Sequence, residues 1–284
     1  EIMPSLVGSE MCIRDSNIAG NISTYKNKVL SLGGGTNIPG KTHLGNQVNT
    51  MIEPGKPIGY FYGYKMDGVF QTQEEINNYR GGPDNTIIMP TAEPGDLKFV
   101  DLNGDGKLGE EDRTMIGNPH PDFTFGLTLS GEYKGFDLSM FFQGSVGNDI
   151  LNILKYDIYS GTGLYNAPKD IFDKFWTGPG STNENFAISA NSRDNLTMSE
   201  WYIENGSYVR LKNVTLGYTF PKQWVQKLTV QNLRLFVAAQ NLFTITSYSG
   251  LDPELGNSNP AFMGIDMGWY PQARSFMVGL SLKL

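Results

Sequence analysis

Between Asp122 and Gly147 apolar and polar positions alternate on both sides of Lys134-Gly135. Phe123, Phe125, Leu127, Leu129 and Tyr133 share one parity with Gly131, while Thr124, Thr128, Ser130 and Glu132 hold the other. After Lys134-Gly135 the rhythm resumes, with Phe136, Leu138, Met140 and Phe142 opposite Asp137, Ser139, Gln143 and Ser145. Successive side chains of a strand point to opposite sides of a sheet, so the pattern predicts two strands. The tight Tyr-Lys-Gly-Phe connection predicts a hairpin between them. The apolar faces are aromatic-rich and carry no charge.

The same period recurs elsewhere. Asn17 to Leu32 reads as a weaker strand, and Ile58 to Met66 as one whose Tyr60, Tyr62 and Tyr64 share a face, as in a membrane-interface belt. In Ser207 to Phe220 the uncharged face holds Val214, Leu216, Tyr218 and Phe220, but Arg210 and Lys212 fall on the same parity. A cation facing lipid at mid-depth costs about 2–4 kcal/mol. Either these two lie outside the membrane or a bulge near Lys212-Asn213 changes the facing, and Val209 and Leu211 on the other parity favour the bulge. Val230 to Asn241 and the closing ARSFMVGLSLKL alternate again. Short helices are expected in Gln71 to Tyr79 and within NDILNILKYD and APKDIFDKFW. Gly33 to Pro57, Gly81 to Pro94 and Phe243 to Gln272 read as loops. Glu1 to Ser16 shows neither period and carries the single cysteine, Cys12; it is set aside as an artefactual or disordered leader, leaving 17–284 as the folded unit.

Alternation alone does not separate a lipid-facing wall from a sandwich. Connection lengths do. With the Tyr133–Phe136 turn as the near end, Gly147 to Gly206 is long and far, Pro221 to Thr229 short and near, and Gln240 to Pro271 long and far. Short turns on one side and long loops on the other are the bacterial outer-membrane arrangement. Tyr133, Phe136, Tyr218, Phe220 and Trp224 gather at the near end, where an aromatic girdle belongs. The fold expected is all-β: a partial, C-terminal segment of a large antiparallel transmembrane β-barrel of roughly seven strands with long extracellular loops. Closure of such a barrel needs more strands, so the plug and N-terminal strands, and any export signal with them, are expected to lie outside this chain.

Composition narrows the function. The chain has 284 residues, a formal net charge of −7, 34 Gly, 14 Tyr and 16 Phe. The acidic balance argues against nucleic-acid binding. No apolar run approaches the ~18 residues of a membrane helix, which leaves a strand-built crossing open.

Candidate chemistry centres on Asp101-Leu102-Asn103-Gly104-Asp105-Gly106-Lys107, with Asp112 at the twelfth position. The spacing is that of an EF-hand calcium loop: Asp101, Asn103, Asp105 and Asp112 offer side-chain oxygens, Lys107 its carbonyl, and Gly106 the turn. Asp replaces the usual bidentate Glu at position twelve, and LKFV before the loop reads as a strand, not a helix. The other reading is an Asx-rich turn without an ion. In both, the loop stiffens an extracellular segment. Carboxylate pairs such as Glu110-Glu111 or Asp149 with Asp157 lack the context of a glycosidase. His43 is isolated, and His120 between two prolines reads as a turn residue. Trp176, Trp201, Trp269 and Tyr270 suit packing among loops better than ligand contact. Arg234, Gln143, Glu132 and Asp137 are expected to face the barrel interior.

The blocks PIGYFYGYKMDGVFQTQEE, PGDLKFVDLNGDGKLGEEDRTMIGNPHPDFTFGLTLSGEYKGFDLSMFFQGSVGNDI, SYVRLKNVTLGYTFPKQW and LRLFVAAQNLFTITSYSGLDPE resemble the C-terminal barrel region of the SusC/RagA family of TonB-linked outer-membrane transporters, in family order. The resemblance implies location in the cell outer membrane, surrounded by lipid, and import of oligosaccharide or peptide. It implies a SusD-like surface lipoprotein as lid and the TonB system acting through a plug, with no enzymatic step. The alternative carried beside it is a secreted β-sandwich that binds glycan and is stabilised by calcium. A glycan or peptide hydrolase is a third and weaker reading.

Overall fold

The computed structural model describes residues 15–41, 47–159, 166–188, 194–225, 230–256 and 259–283. Its largest sheet has six strands: β1 (Asp15–Ser23), β2 (Phe123–Tyr133), β3 (Phe136–Val146), β4 (Tyr208–Thr219), β5 (Asn232–Thr246) and β6 (Ser275–Lys283). They pair antiparallel in that order. The hairpin between β2 and β3 turns through Lys134 at φ 48° and Gly135 at φ 85°, the two positive φ values a type I′ turn requires.

Strand register carries the sequence pattern across the whole sheet. One row runs Ile18, Leu129, Met140, Val214, Ala239, Phe276, each residue paired with the next. The next runs Ser16, Gly131, Leu138, Leu216, Val237, Val278. The opposite face is more polar: Asn17, Ser130, Ser139 and Thr215 lead one row of it, which ends in Ala238 and Met277. Among the described residues no second sheet seals the apolar face, where Ile18 is 75% exposed, Leu216 45% and Val278 73%. The sheet is therefore a single-layer wall with its oily side bare, and the sandwich alternative is overturned.

The bulge expected near Lys212 is present. Phe142 pairs with Leu211 and Phe141 with Asn213, leaving Lys212 as the extra residue. This shift moves Val209 and Leu211 into the same apolar face as Val214, Leu216 and Tyr218. It turns Arg210 to the polar face opposite Gln143. β5 answers with its own irregularity around Asn241, at φ 50°, and runs on to Thr246, so it is longer than expected.

Three insertions, 24–122, 147–207 and 247–274, leave the same end of the wall and pack into one cap. The buried core of the chain lies here. Phe61, Phe70, Leu97, Phe99, Leu151, Phe186 and Tyr202 are each almost fully enclosed. Here several expectations are corrected. Tyr60–Tyr64 is the third strand of a small four-stranded sheet with Ile38–Lys41, Val48–Ile52 and Arg113–Gly117, not a wall strand. Tyr60 and Tyr64 are buried in the cap, so they form no membrane belt, and the wall has six strands where about seven were expected. The segment 33–57, read as loop, supplies two of the cap strands, and Asp149–Asn152 is a strand ahead of the helix Leu154–Tyr159. The helix Gln73–Asn78 forms inside the predicted stretch, with the Thr72 hydroxyl accepting from the Glu75 amide. The first strand takes in Asp15 and Ser16, so the boundary drawn at residue 16 falls inside β1; the rest of the leader, with Cys12, lies outside the described residues. At the opposite end, Phe136 and Tyr218 lie with ring centroids 4.6 Å apart, tilted by 46°, Tyr218 meets Phe220 at 5.1 Å, and Phe220 meets Trp224 at 6.4 Å. Among the described residues no helix is long and apolar enough to cross a membrane.

Candidate functional site

The cap holds a cleft of about 460 Å³ where its insertions meet. Lys155 and Tyr159 come from the helix Leu154–Tyr159, Phe175 follows the helix Ile171–Lys174, and Trp201 and Glu204 flank the start of a short cap strand. Ser249, Gly250 and Leu251 close it from the third insertion. Lys155 Nζ lies 3.1 Å from Glu204 Oε1, donates to the Trp201 carbonyl at 2.7 Å and sits 4.8 Å from the Trp201 ring centroid. The Ser249 hydroxyl donates to Glu204 at 2.9 Å, which ties the third insertion to the second. Burial and the neighbouring Asp170 carboxylate push the Tyr159 phenol up to about 12, so it remains a donor at physiological pH. A cleft with an ammonium, carboxylates, amides and aromatic walls suits a polar ligand that has apolar faces. Lys155, Tyr159, Phe175, Trp201 and Glu204 are spread over one long insertion and Ser249 to Leu251 come from the next, so no local spacing announced them.

A second set ties cap to wall. Arg210 is buried; its Nη1 donates to Glu254 at 2.6 Å, its Nη2 to Asp252, and its Nε to the Thr244 hydroxyl at 2.8 Å. Lys212, the bulge residue, reaches Glu254 at 2.7 Å. Asp252 also accepts from the Gln272 and Glu254 amides. Burial pushes its carboxyl upward, but these two amides and the Arg210 guanidinium outweigh that and hold it below the usual carboxylate range.

The Asp-rich loop is closed by its own backbone. Asp101 accepts from the Gly104 and Gly106 amides, Asn103 from Asp105, and Asp105 from Lys107. Asp112 is fully buried and accepts from the Leu102, Asn103 and Gly109 amides at 2.9, 3.2 and 2.7 Å. Leu97–Phe99, ahead of it, is a strand as expected. Among the described residues no three His, Cys, Asp or Glu side chains converge to hold a metal ion.

Of the other candidates, His120 is a turn residue in contact with the cap: its ring nitrogens lie 2.9 Å from the Ile58 carbonyl and 3.2 Å from the Tyr25 hydroxyl. His43 lies outside the described residues. Glu110 pairs with Arg113, and Asp149 accepts from the Asn118 amide. Trp201 is buried and Trp176 packs against the core with its Nε1 donating to Gln71, whereas Tyr270 is 91% exposed. Asp137 and Arg234 sit on the polar face of the wall and pair with each other.

No family model matches the chain. Curated relatives do. TonB-dependent receptor P3 of Formosa agariphila is 36% identical over 299 residues, which take in 97% of this chain and 28% of the relative. TonB-dependent receptor SusC of Bacteroides thetaiotaomicron is 28% identical over 268 residues, or 93% of this chain and 24% of the relative. Among solved structures, the RagAB peptide transporter superposes with a TM-score of 0.70 at 20% identity, covering 95% of this chain and 27% of that one. The chain thus spans about a quarter of the length of the proteins it matches.

Proposed function

The chain belongs to the SusC/RagA-like TonB-dependent receptors, and from that premise we propose that it is the cap-bearing barrel segment of an outer-membrane nutrient importer. The six strands cross the membrane repeatedly, the bare apolar face meets lipid, and the polar face lines the interior. The single observation that carries this reading is the unbroken apolar row from Ile18 to Phe276 on a wall that no second sheet covers among the described residues. The cap faces the outside and receives oligosaccharide or peptide from a SusD-like lipoprotein. The TonB system supplies energy through a plug carried elsewhere in the full-length protein. The cleft around Trp201 supports binding of such ligands.

The test is uptake. A strain lacking the full-length gene should lose growth on one class of oligosaccharide or peptide, and the loss should be reproduced by deleting TonB. Unchanged growth on every oligosaccharide and peptide offered would contradict import.

For the loop of Asp101, Asn103, Asp105, Lys107 and Asp112 the proposed ligand is calcium, carried by the alternating spacing of short acids. Terbium luminescence competed by calcium tests it. No competition at millimolar calcium would leave the loop held by its amide bonds alone.

A further inference from the structure

Among the described residues lining the cleft around Trp201, no charge is left unpaired. Lys155 closes on Glu204 at 3.1 Å, and Lys174 on Asp170 at 2.9 Å. The Glu204 carboxylate also accepts from the Asn152 side-chain amide at 3.1 Å and from both the hydroxyl and the backbone amide of Ser249. The side-chain donors of the cleft are largely spent as well. The Tyr159 hydroxyl donates to Asp170, Trp201 Nε1 to Asn185, and the Asn185 amide to the Lys174 carbonyl. One acceptor is left over. Asn152 lines the cleft and is 4% exposed; its Nδ2 serves Glu204, while its Oδ1 has no hydrogen-bond partner among the described residues. Its strand, Asp149–Asn152, is held between Ile203–Asn205 and Ile265–Asp266, which fixes the backbone at this point. A buried acceptor without a donor is a cost that an incoming hydroxyl removes. The rest of the lining offers apolar surface from Leu154, Ile158 and Leu251, the last 66% exposed.

We propose that this cleft is a charge-excluding specificity filter: it selects an uncharged, hydroxyl-rich oligosaccharide that donates to Asn152 Oδ1 and lays its C–H faces on Leu154, Ile158 and Leu251. The proposal rests on the importer reading and narrows it to one ligand chemistry and one deciding residue. A ligand carboxylate, sulfate or ammonium would leave water and find both ion pairs already closed, so its desolvation would go uncompensated. A peptide is disfavoured twice. Its termini are charged, and each of its backbone carbonyls needs a donor of the kind the cleft has already spent. A sugar hydroxyl supplies the missing donor and leaves its own lone pairs to water.

The experiment is titration calorimetry of the full-length protein in micelles. The probes are neutral hexasaccharides of glucose, mannose, xylose and galactose, a hexagalacturonate, a chitosan hexamer and hexaglycine. Folding of each variant is confirmed by heat-dependent gel mobility. At least one neutral hexasaccharide should bind wild type, and the charged sugars and the peptide should not. Asn152→Ala should weaken the neutral sugar by about tenfold, the scale of one lost hydrogen bond. Leu251→Glu, at an exposed position that the fold does not depend on, should weaken it too. Lys174→Ala, which frees the Asp170 carboxylate, should admit the cationic chitosan hexamer. Failure of every neutral hexasaccharide to bind wild type, or preference for the galacturonate or the peptide, would overturn the filter while leaving import intact. So would equal neutral-sugar affinity in wild type and Leu251→Glu. Absence of TonB-dependent uptake of any compound would overturn the importer reading and the filter with it.

Discussion

Asp137 and Arg234 pair across an intervening strand. Asp137 lies on β3 and Arg234 on β5, and the guanidinium reaches over β4 with Nε 2.8 Å from Oδ1. What permits this is Gly217 on β4, which pairs with Asp137 on one side and Phe236 on the other. A Cβ at Gly217 would collide with both charged groups. Three strands are thus clamped on the polar face by one ion pair laid over one glycine.

Gly217→Val should break the clamp and crowd its site, at a cost of about 1–3 kcal/mol, the range for overpacking. The pair itself is partly solvated, so a double-mutant cycle between Asp137→Ala and Arg234→Ala should give a coupling of only about 0.2–1 kcal/mol. Urea unfolding in vesicles measures both. A Gly217→Val variant as stable as wild type would mean that the pair is not formed there.

Arg210 should matter more than any other cation of the wall. It is the buried partner of Asp252 and Glu254, so Arg210→Ala strands a buried carboxylate, a change that typically costs about 3–5 kcal/mol. The loss should appear as faster proteolysis of the segment around residues 247–256. Adding Asp252→Ala should recover part of it. Equal cleavage rates in wild type and Arg210→Ala would show that the loop is held by other contacts.

Acid should release the same segment. The Asp252 carboxyl is held below its unfolded value of about 3.9, so its contribution is complete above that pH and is lost as pH falls through the folded value. Exchange protection of the Glu254 and Gln272 amides, corrected for intrinsic rates, should be flat from neutral pH down to about 4 and fall below it. Protection that declines between pH 8 and 6 would assign the tie to some other group.

The wall was legible in the sequence because each of its strands faces two different media, and a period of two records that directly. Even the bulge at Lys212 left a trace, since the apolar parity changes from Val209 and Leu211 to Val214 and Leu216. The cap was not legible. Its core gathers Phe61, Leu97, Leu151 and Ile265 from three separated insertions, in strands of two to five residues that are too short to show a period, and Phe186 from a loop. Tyr60–Tyr64 was misread for a different reason: its alternation is real, but Tyr60 and Tyr64 on one side and Phe61 on the other are all buried in the cap, so neither side meets lipid. The cleft pair Lys155 and Glu204 lies 49 residues apart in sequence and carries no motif. By contrast, the girdle of Phe136, Tyr218, Phe220 and Trp224 followed from counting which connections are short.

Site-directed spin labelling of the membrane-embedded protein tests the wall most directly. Labels at Leu216, Val237 and Val278 should collide readily with oxygen, which concentrates in hydrocarbon, and weakly with a water-soluble nickel chelate. Labels at the neighbouring Thr215, Ala238 and Met277 should show the reverse. Accessibility that lacks this two-residue period, or chelate contact at Leu216, Val237 and Val278 equal to that at Thr215, would contradict a wall with lipid on one side and water on the other.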